Sequence, residues 1–145
     1  MGRRVAFLIV AILSWAVAHP AAAQQAKKVP RIGLLFIGAA SSVAPYTNAF
    51  RLGLRELGYV EGQNLAIEHR FAEGKLDRLP ELAAELVRVK VNVIVVSSTP
   101  AVLAAKKATK EVPVVFYTIS DPVAEGVVAS LARPGGNLTG MTLGG

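Results

Sequence analysis

Three short segments of this 145-residue chain carry hydroxyl or carboxyl side chains directly after an apolar run of strand length. Their residues are, in order, Ser41, Ser42, Ser98, Thr99, Ser120 and Asp121. The second and third segments lead into a predicted helix start, where free backbone N–H groups and the helix dipole favour an anion. These segments therefore predict a site for a carboxylate. Asp121 beside it would suit an ammonium group, and a zwitterionic amino acid would satisfy both.

The same residue types have a structural use, which stays open at this point. Ser, Thr and Asp before a helix are first of all capping residues, because their side chains accept hydrogen bonds from the first free N–H groups. For Asp121 the two roles compete, since a carboxylate that caps a helix is less available to a ligand.

Two aromatic residues, Tyr46 and Phe50, lie at helical spacing after the first of these segments. Both residues could stack on an aromatic ligand, and Tyr46 is the stronger candidate. Aromatic side chains at this spacing also form the buried stripe of a helix, so a core role is the alternative for both residues.

The chain offers little for catalysis. It has no cysteine and two histidines, His19 and His69. A metal cluster or a Ser-His-Asp arrangement therefore has few residues to use, and no glycine-rich phosphate-binding motif is present. We expect no enzymatic activity, no cofactor and no metal. His69 falls within a predicted strand and is interpreted as an edge or surface residue.

The elements that would position these residues alternate between strands and helices. Apolar runs predict strands at 31–37, 65–71, 91–96, 112–117 and 138–143. Helical spacing predicts three helices: one from Tyr46 to a glycine cap at Gly58, one over 79–87, and one over 100–109. A fourth is expected to begin at Asp121 and Pro122, with a buried stripe of Val123, Val127, Val128 and Leu131. This alternation predicts an α/β fold, an open and mostly parallel sheet with helices on both faces.

Residues 1–23 have the features of a cleavable signal peptide. Arg3 and Arg4 precede an apolar stretch over 5–18, and three alanines stand before Gln24. The stretch is shorter than the roughly 20 residues of a spanning helix, although an uncleaved anchor is the alternative. The absence of cysteine excludes lipid attachment at the cleavage site. We therefore expect export to the periplasm, with 24–30 as a polar leader.

Removal of that segment takes away two arginines, so the net charge falls from +6 to +4. The remaining basic residues are spread along the sequence without aromatic interleaving, which argues against a nucleic-acid partner. The remaining chain is long enough for one domain with a real core.

Several blocks of sequence resemble one family. They are RIGLL at 31–35, FRLGLRELGYVEGQN at 50–64, STPA at 98–101, SDPV at 120–123 and ARPGGNLTG at 132–140. The pattern is similar to ABC-transporter substrate-binding proteins with a type I periplasmic-binding fold, the group that includes tryptophan- and phenylalanine-binding members. Within that group the chain would be an N-terminal, flavodoxin-like lobe.

The resemblance implies a bilobed protein that closes on a small solute and delivers it to an ABC permease in the inner membrane. Ser98 and Thr99 match the turn that cradles a carboxylate, Asp121 matches the acidic position, and Ser41 and Ser42 lie in the loop after the first strand. It also implies that 31–145 form one lobe, truncated before the second. An exported single-domain interaction module and an exported enzyme fragment are the alternatives.

Overall fold

The structure, a computed structural model, describes residues 28–118, 121–130 and 132–142. The predicted signal peptide therefore lies outside the described residues, as do most of the polar leader, Ser120 and Leu131. Residues 28–30 precede the first strand, have no regular structure and are exposed. No helix among the described residues is long and apolar enough to cross a membrane.

Five parallel strands form one sheet in the order β2-β1-β3-β4-β5. The strands are β1 (Arg31–Phe36), β2 (Ala66–Phe71), β3 (Val93–Val96), β4 (Val114–Thr118) and β5 (Leu138–Thr142). The helices are α1 (Ala40–Glu56), α2 (Leu79–Arg88) and α3 (Thr99–Ala108), and a short 3-10 turn (Leu76–Arg78) precedes α2. The predicted α/β class and the parallel sheet are confirmed.

The strand order divides the helices between the two faces of the sheet. The chain moves from β1 to β2 in one direction along the sheet, and then from β2 through β3 and β4 to β5 in the other. Because parallel connections are right-handed, this reversal places α1 on one face and α2 and α3 on the opposite face. We call these the α1 face and the core face.

The core face holds the continuous hydrophobic core. Leu35, Ile94, Val96, Val114 and Phe116 point from the strands into it and are buried. From the helices come the predicted stripe of α2 and the alanine-rich side of α3: Leu79, Leu82, Ala83, Leu86, Ala101, Val102, Ala104 and Ala105. The small side chains of α3 let it lie close to the sheet, so burial alone stabilises a chain that has no disulfide.

The α1 face is covered only in part by the described residues. Within α1, only Val43 and Thr47 are buried. Tyr46 is 62% exposed, and Phe50 is half-buried. The core interpretation is therefore wrong for Tyr46 in the described structure, because α1 has no second helix beside it on this face.

Helix α1 begins six residues earlier than the sequence indicates. Pro45 lies inside the helix, and a proline normally favours a helix start close by. The turn before it is held by the carbonyl of Ala39, which accepts hydrogen bonds from the N–H groups of Ser42 and Val43 at 3.1 and 3.2 Å. At the other end, Gly58 has a φ of +84°, which confirms its predicted capping role.

The fourth predicted helix is wrong, since the chain makes only a single turn after Asp121. Gly126, with a φ of +68°, reverses the chain. Its N–H donates to the carbonyl of Val123, and the N–H of Val127 donates to the carbonyl of Pro122. This pair of bonds is the Schellman motif that ends helices. Val127 and Val128 of the expected stripe are buried, whereas Val123 is exposed and Leu131 lies outside the described residues.

Candidate functional site

The carboxyl ends of β1 and β3 lie side by side in the centre of the sheet. From β1 the chain turns through α1 towards β2, and from β3 it turns through α3 towards β4, on the opposite side. The two loops therefore separate between these strands and leave a crevice. In open α/β sheets this topological switch point is where ligands bind. We call it the switch-point crevice.

Ser98 and Thr99 stand at the N-terminus of α3 on one side of this crevice. Ser98 has extended backbone angles at the N-cap position, yet its hydroxyl makes no capping bond. In the described part of the chain, neither Ser98 Oγ nor Thr99 Oγ1 has a hydrogen-bond partner, although both atoms are buried. Buried hydroxyls without partners are uncommon, because leaving them unpaired costs about 1–3 kcal/mol.

The same helix end carries no negative charge. The first turn of α3 contains no acidic residue, and its only basic residues are in the last turn. The free N–H groups of the first turn, to which Pro100 contributes none, thus lie at the positive end of the helix dipole together with two unpaired hydroxyls. Such an arrangement suits an anionic group.

Ser41 and Ser42 lie in the first turn of α1, so their predicted position in a loop is wrong. Ser41 is exposed, and the hydroxyl of Ser42 donates to the carbonyl of Ala39 at 2.8 Å. The N-cap of α1 is Ala39, whose methyl group cannot accept a hydrogen bond, and the first turn of α1 has no acidic residue. The second helix end at the crevice is therefore also left without a side-chain cap.

Asp121 follows the carboxyl end of β4 and serves as a cap. Its Oδ1 accepts hydrogen bonds from the N–H groups of Val123 at 2.9 Å and Ala124 at 3.2 Å. The capping interpretation is confirmed, while the interpretation as a partner for an ammonium group stays a prediction. Both bonds use the same oxygen of the carboxylate. Ser120 lies outside the described residues.

Tyr46 lies on the α1 face, beside the crevice, and lines an apolar groove of about 210 Å³. The other lining residues are Leu34, Phe36, Ala49, Phe50, Val95, Val96, Ser97 and Tyr117. Ser97 belongs to the segment after β3 that the sequence singles out, whereas Tyr117 was not singled out. The position of Tyr117 near the end of β4 is the signal that points to it, because parallel strands end at one edge.

His69 lies on the edge strand β2, as expected, and has a partner that the sequence did not reveal. Its Nε2 is 3.0 Å from Nη2 of Arg51 on α1. Burial lowers the pKa of His69 below its usual 6.5, and the charge of Arg51 lowers it further, against the opposing effect of Glu61 and Glu68. His69 lies on β2, opposite Leu34 of β1, and β1 separates it from β3. In the described ranges no three His, Cys, Asp or Glu residues are grouped as a metal site.

The five-strand order and the crevice define the class: a lobe of a type I periplasmic-binding protein. Residues 33–142 match the family described as ABC transporter substrate binding protein, and the chain belongs to this family.

Two relatives show how far the similarity extends. A tyrosine-binding protein of Clostridioides difficile (strain R20291) is 33% identical over 116 residues, which are 80% of this chain and 34% of that protein. The ligand-free, open structure of a substrate-binding protein with adhesive properties from Clostridium difficile superposes with a TM-score of 0.72 at 30% identity. It matches 79% of this chain and 39% of that one.

A protein from Streptococcus pneumonia solved in complex with L-Trp gives a TM-score of 0.70 at 30% identity, over 78% of this chain and 38% of that one. These relatives are substrate-binding proteins rather than enzymes. This chain spans about a third of the length of the curated relative it matches. Substrate-binding proteins of ABC transporters bind small solutes and work with a permease.

Proposed function

We propose that this chain is the N-terminal part of the solute receptor of an ABC importer, and that the receptor binds an amino acid or a similar small carboxylate. The observation that carries the proposal is the pair of buried, unpaired hydroxyls of Ser98 and Thr99 at the uncapped start of α3. A ligand carboxylate placed there would accept hydrogen bonds from both hydroxyls and from the N–H groups of the first turn. It would thereby satisfy atoms that the chain leaves unpaired.

The relatives support the amino-acid class. One is named as a tyrosine-binding protein, and the other was solved with L-Trp. An aromatic or other apolar side chain also fits the chemistry beside the crevice, where Tyr46 and Tyr117 border an apolar groove. The second half of the site would come from a second lobe, which closes over the solute and excludes water from it.

The N-terminal segment is the basis for the cellular compartment that we propose. Export through a cleaved signal peptide would place the receptor in the periplasm, where it can meet the solute and the inner-membrane permease. No cofactor, metal, nucleic acid or catalytic step is part of this proposal.

The test is amino-acid binding by the protein as its source cell makes it, measured by isothermal titration calorimetry with a panel of amino acids. We expect one or a few amino acids to bind without being converted. The double variant Ser98→Ala, Thr99→Val should weaken that binding at least tenfold, because two charge-assisted hydrogen bonds are removed.

A matched control is Ser130→Ala, which removes a hydroxyl that bonds Arg133 rather than facing the crevice. Its affinity should equal that of the wild type. Equal affinity in the double variant would show that this helix end does not bind the solute, and turnover of any amino acid would favour an enzyme instead.

A further inference from the structure

Basic residues that are spread along the sequence collect at one end of the fold. The five strands are parallel, so their amino ends all lie opposite the switch-point crevice. The last turns of α2 and α3 lie at the same end, because each helix runs back to the start of the next strand. We call this surface the basic end, and its cations come from the loops before β1, β3 and β4 and from these last turns: Lys28, Arg31, Arg88, Lys90, Lys106, Lys107 and Lys110.

Two cavities at the basic end show that these side chains are neighbours. Lys28, Arg31 and Lys90 line a cavity of about 290 Å³. Lys106 and Lys110 line a second one, of about 480 Å³, beside the start of β5. No acidic side chain of the described residues lines either cavity. Since β1, β3, β4 and β5 are consecutive in the sheet, the cations form a row across its end.

Most of this positive charge is not neutralised by the described residues. Arg31 pairs with Glu68 at 3.5 Å, and Nζ of Lys106 donates to the carbonyl of Val127 at 2.9 Å. In the loops before β1, β3 and β4, Glu111 is the one acidic residue that the structure describes. The remaining cations are exposed and form no ion pair with a described residue: Lys28, Arg88, Lys90, Lys107 and Lys110.

A structural role accounts for only some of these residues. Cations in the last turn of a helix stabilise its dipole, which explains Arg88 and Lys107. Lys28 precedes β1, whereas Lys90 and Lys110 follow the C-caps of α2 and α3, beyond the last turn where this effect acts.

The opposite end of the lobe has the opposite charge. Acidic residues there outnumber the two basic ones that the structure describes, Lys75 and Arg78, and they are Glu73, Asp77, Glu81, Asp121 and Glu125. The lobe is therefore an electrostatic dipole, and an anionic surface would attract it with the basic end facing that surface.

The arrangement of the cations fits an extended anionic surface better than a small anion. They surround two separate cavities along strands about 4.8 Å apart, so one small anion would contact only part of the row. The phosphates of lipid headgroups form an array that would contact all of it. Neither cavity is lined by an aromatic residue on which a nucleic-acid base could stack.

The N-terminal sequence favours a membrane over an acidic protein. The described chain starts at Lys28 in the basic end, and residues 19–27 join this end to the apolar stretch over 5–18. An extended chain spans at most about 3.5 Å per residue, so the connection is no longer than about 30 Å. Whenever that stretch lies in a bilayer, the basic end is held close to the headgroups. We propose that the basic end docks onto a membrane surface of anionic lipid.

The test is binding of the native protein, purified from the source cell, to lipid vesicles. Vesicles of phosphatidylglycerol and phosphatidylcholine in equal parts are compared with vesicles of phosphatidylcholine alone, by co-sedimentation at low and high salt. The test variant is Lys90→Gln/Lys110→Gln, which changes two exposed lysines outside the helices. The matched control is Lys75→Gln/Arg78→Gln, which removes the same net charge at the opposite end. Urea unfolding shows whether both variants are folded.

We expect binding to the anionic vesicles that is lost at high salt, because salt screens exposed charges, and no binding to phosphatidylcholine. A basic residue near an anionic surface strengthens binding about fivefold, so the test variant should bind about tenfold or more weakly. The control should bind like the wild type, because its charges lie about 20 Å from the surface, beyond the Debye length.

Three results would overturn the inference. An equal loss in both variants would mean that net charge alone drives binding. Binding to both kinds of vesicle regardless of salt would mean insertion of the N-terminal stretch, and intact mass of the same samples shows whether this stretch is present. Retention on beads coated with polyglutamate, without vesicle binding, would mean an acidic protein partner.

The orientation of the bound lobe gives a second readout that does not depend on the lysine variants. The sequence has no cysteine, so a fluorophore can be attached at Val29→Cys in the basic end or at Leu76→Cys at the opposite end. Both residues are exposed, 44% and 51% respectively. A quencher on the lipid headgroup should quench the first fluorophore more than the second, and equal or reversed quenching would contradict the proposed orientation.

This inference does not rest on the solute site, and amino-acid binding by the same preparations keeps the two proposals apart. Amino-acid binding without vesicle binding refutes the membrane docking alone. Vesicle binding by a protein that binds no amino acid refutes the proposed solute class alone.

Discussion

Arg51 Nη2 lies 3.0 Å from Nε2 of His69 and joins helix α1 to the edge strand β2. A guanidinium group can only donate, so Nε2 must accept and the ring proton must lie on Nδ1. Arg51 also pairs with Glu61, through Nε to Oε2 at 2.6 Å. The imidazole is thus held neutral beside a positive charge, and protonation would break the hydrogen bond and place two cations together.

The first prediction concerns the dependence of stability on pH. The folded pKa of His69 lies below its unfolded value of about 6.5, so the unfolded chain binds a proton that the folded chain does not. Stability is then fully present above about pH 6.5 and falls as the pH drops below it. In urea unfolding, His69→Gln should lose less stability than the wild type when the pH is lowered from the neutral range to about 5.

The same shift is directly observable by NMR. His69 is the only histidine after residue 19, so one imidazole resonance reports on it in a processed protein. It should titrate below 6.5, and Arg51→Met should raise its pKa towards the ordinary value. An unshifted titration, together with equal pH slopes for the variant and the wild type, would contradict this account.

The second prediction concerns Gly140, where β5 pairs with β4. A Cβ added at this position would overlap the carbonyl oxygen of Phe116 and lie 2.7 Å from its ring carbon Cγ. Because Phe116 is buried in the core, it cannot move aside freely. Gly140→Ala should lower the free energy of unfolding by about 1–3 kcal/mol, measured by urea denaturation.

A matched control is Gly53→Ala in the middle of α1. A Cβ at Gly53 meets nothing within 4 Å, and alanine favours a helix interior over glycine. This variant should be stabilised by up to about 1 kcal/mol. If both substitutions changed stability in the same direction, the close approach at Gly140 would not be the cause.

The fold could be predicted well because its signals are local. Every second residue of the β-branched run of β3, Ile94 and Val96, is buried, and so is the stripe Leu79, Leu82, Leu86 of α2. The start of α1 was missed because Pro45 resembles a helix boundary, whereas the carbonyl of Ala39 holds the earlier turn. The single turn at 121–126 was missed because Asp121 and Pro122 signal a helix start, and Gly126 then ends it within one turn.

The candidate site could be predicted only in part. The sequence pattern predicts that Ser98 and Thr99 lie at the carboxyl end of a strand. It does not predict that their hydroxyls lack hydrogen-bond partners, because pairing depends on rotamers and on neighbours distant in sequence. The exposure of Tyr46 on α1 was likewise not predictable from the sequence, since it depends on which helices share its face of the sheet.

The third prediction concerns the two possible roles of Asp121. Asp121→Asn keeps an oxygen that can accept from the N–H groups of Val123 and Ala124, but it removes the charge. Its stability should therefore stay within about 0.5 kcal/mol of the wild type, whereas Asp121→Ala should lose about 1 kcal/mol with the cap.

Ligand affinity separates the roles. If Asp121 holds an ammonium group, Asp121→Asn should weaken binding of the preferred amino acid about tenfold or more, since a charged hydrogen bond contributes about 1.5–3 kcal/mol. Binding of the corresponding carboxylic acid without the amine should not change. Calorimetry with both ligands makes the comparison, and unaltered affinity for the amino acid would leave Asp121 with the capping role alone.

The fourth prediction concerns the two ends of the mature protein. Signal peptidase cleavage after the alanines at 21–23 would make Gln24 the first residue, because small side chains there fit the enzyme's requirement. Intact mass spectrometry of the protein released from the periplasm reads both ends at once. We expect a chain that begins at Gln24 and is well over twice as long as 24–145, as the coverage of the relatives indicates.

The outcomes have different consequences. Retention of residues 1–23 in a membrane fraction would mean an anchored receptor and would leave the solute site untouched. A mass equal to residues 24–145 would mean that half a crevice is made alone. Ser98 and Thr99 would then have no facing lobe, and a partner-dependent interaction module would replace the transport receptor.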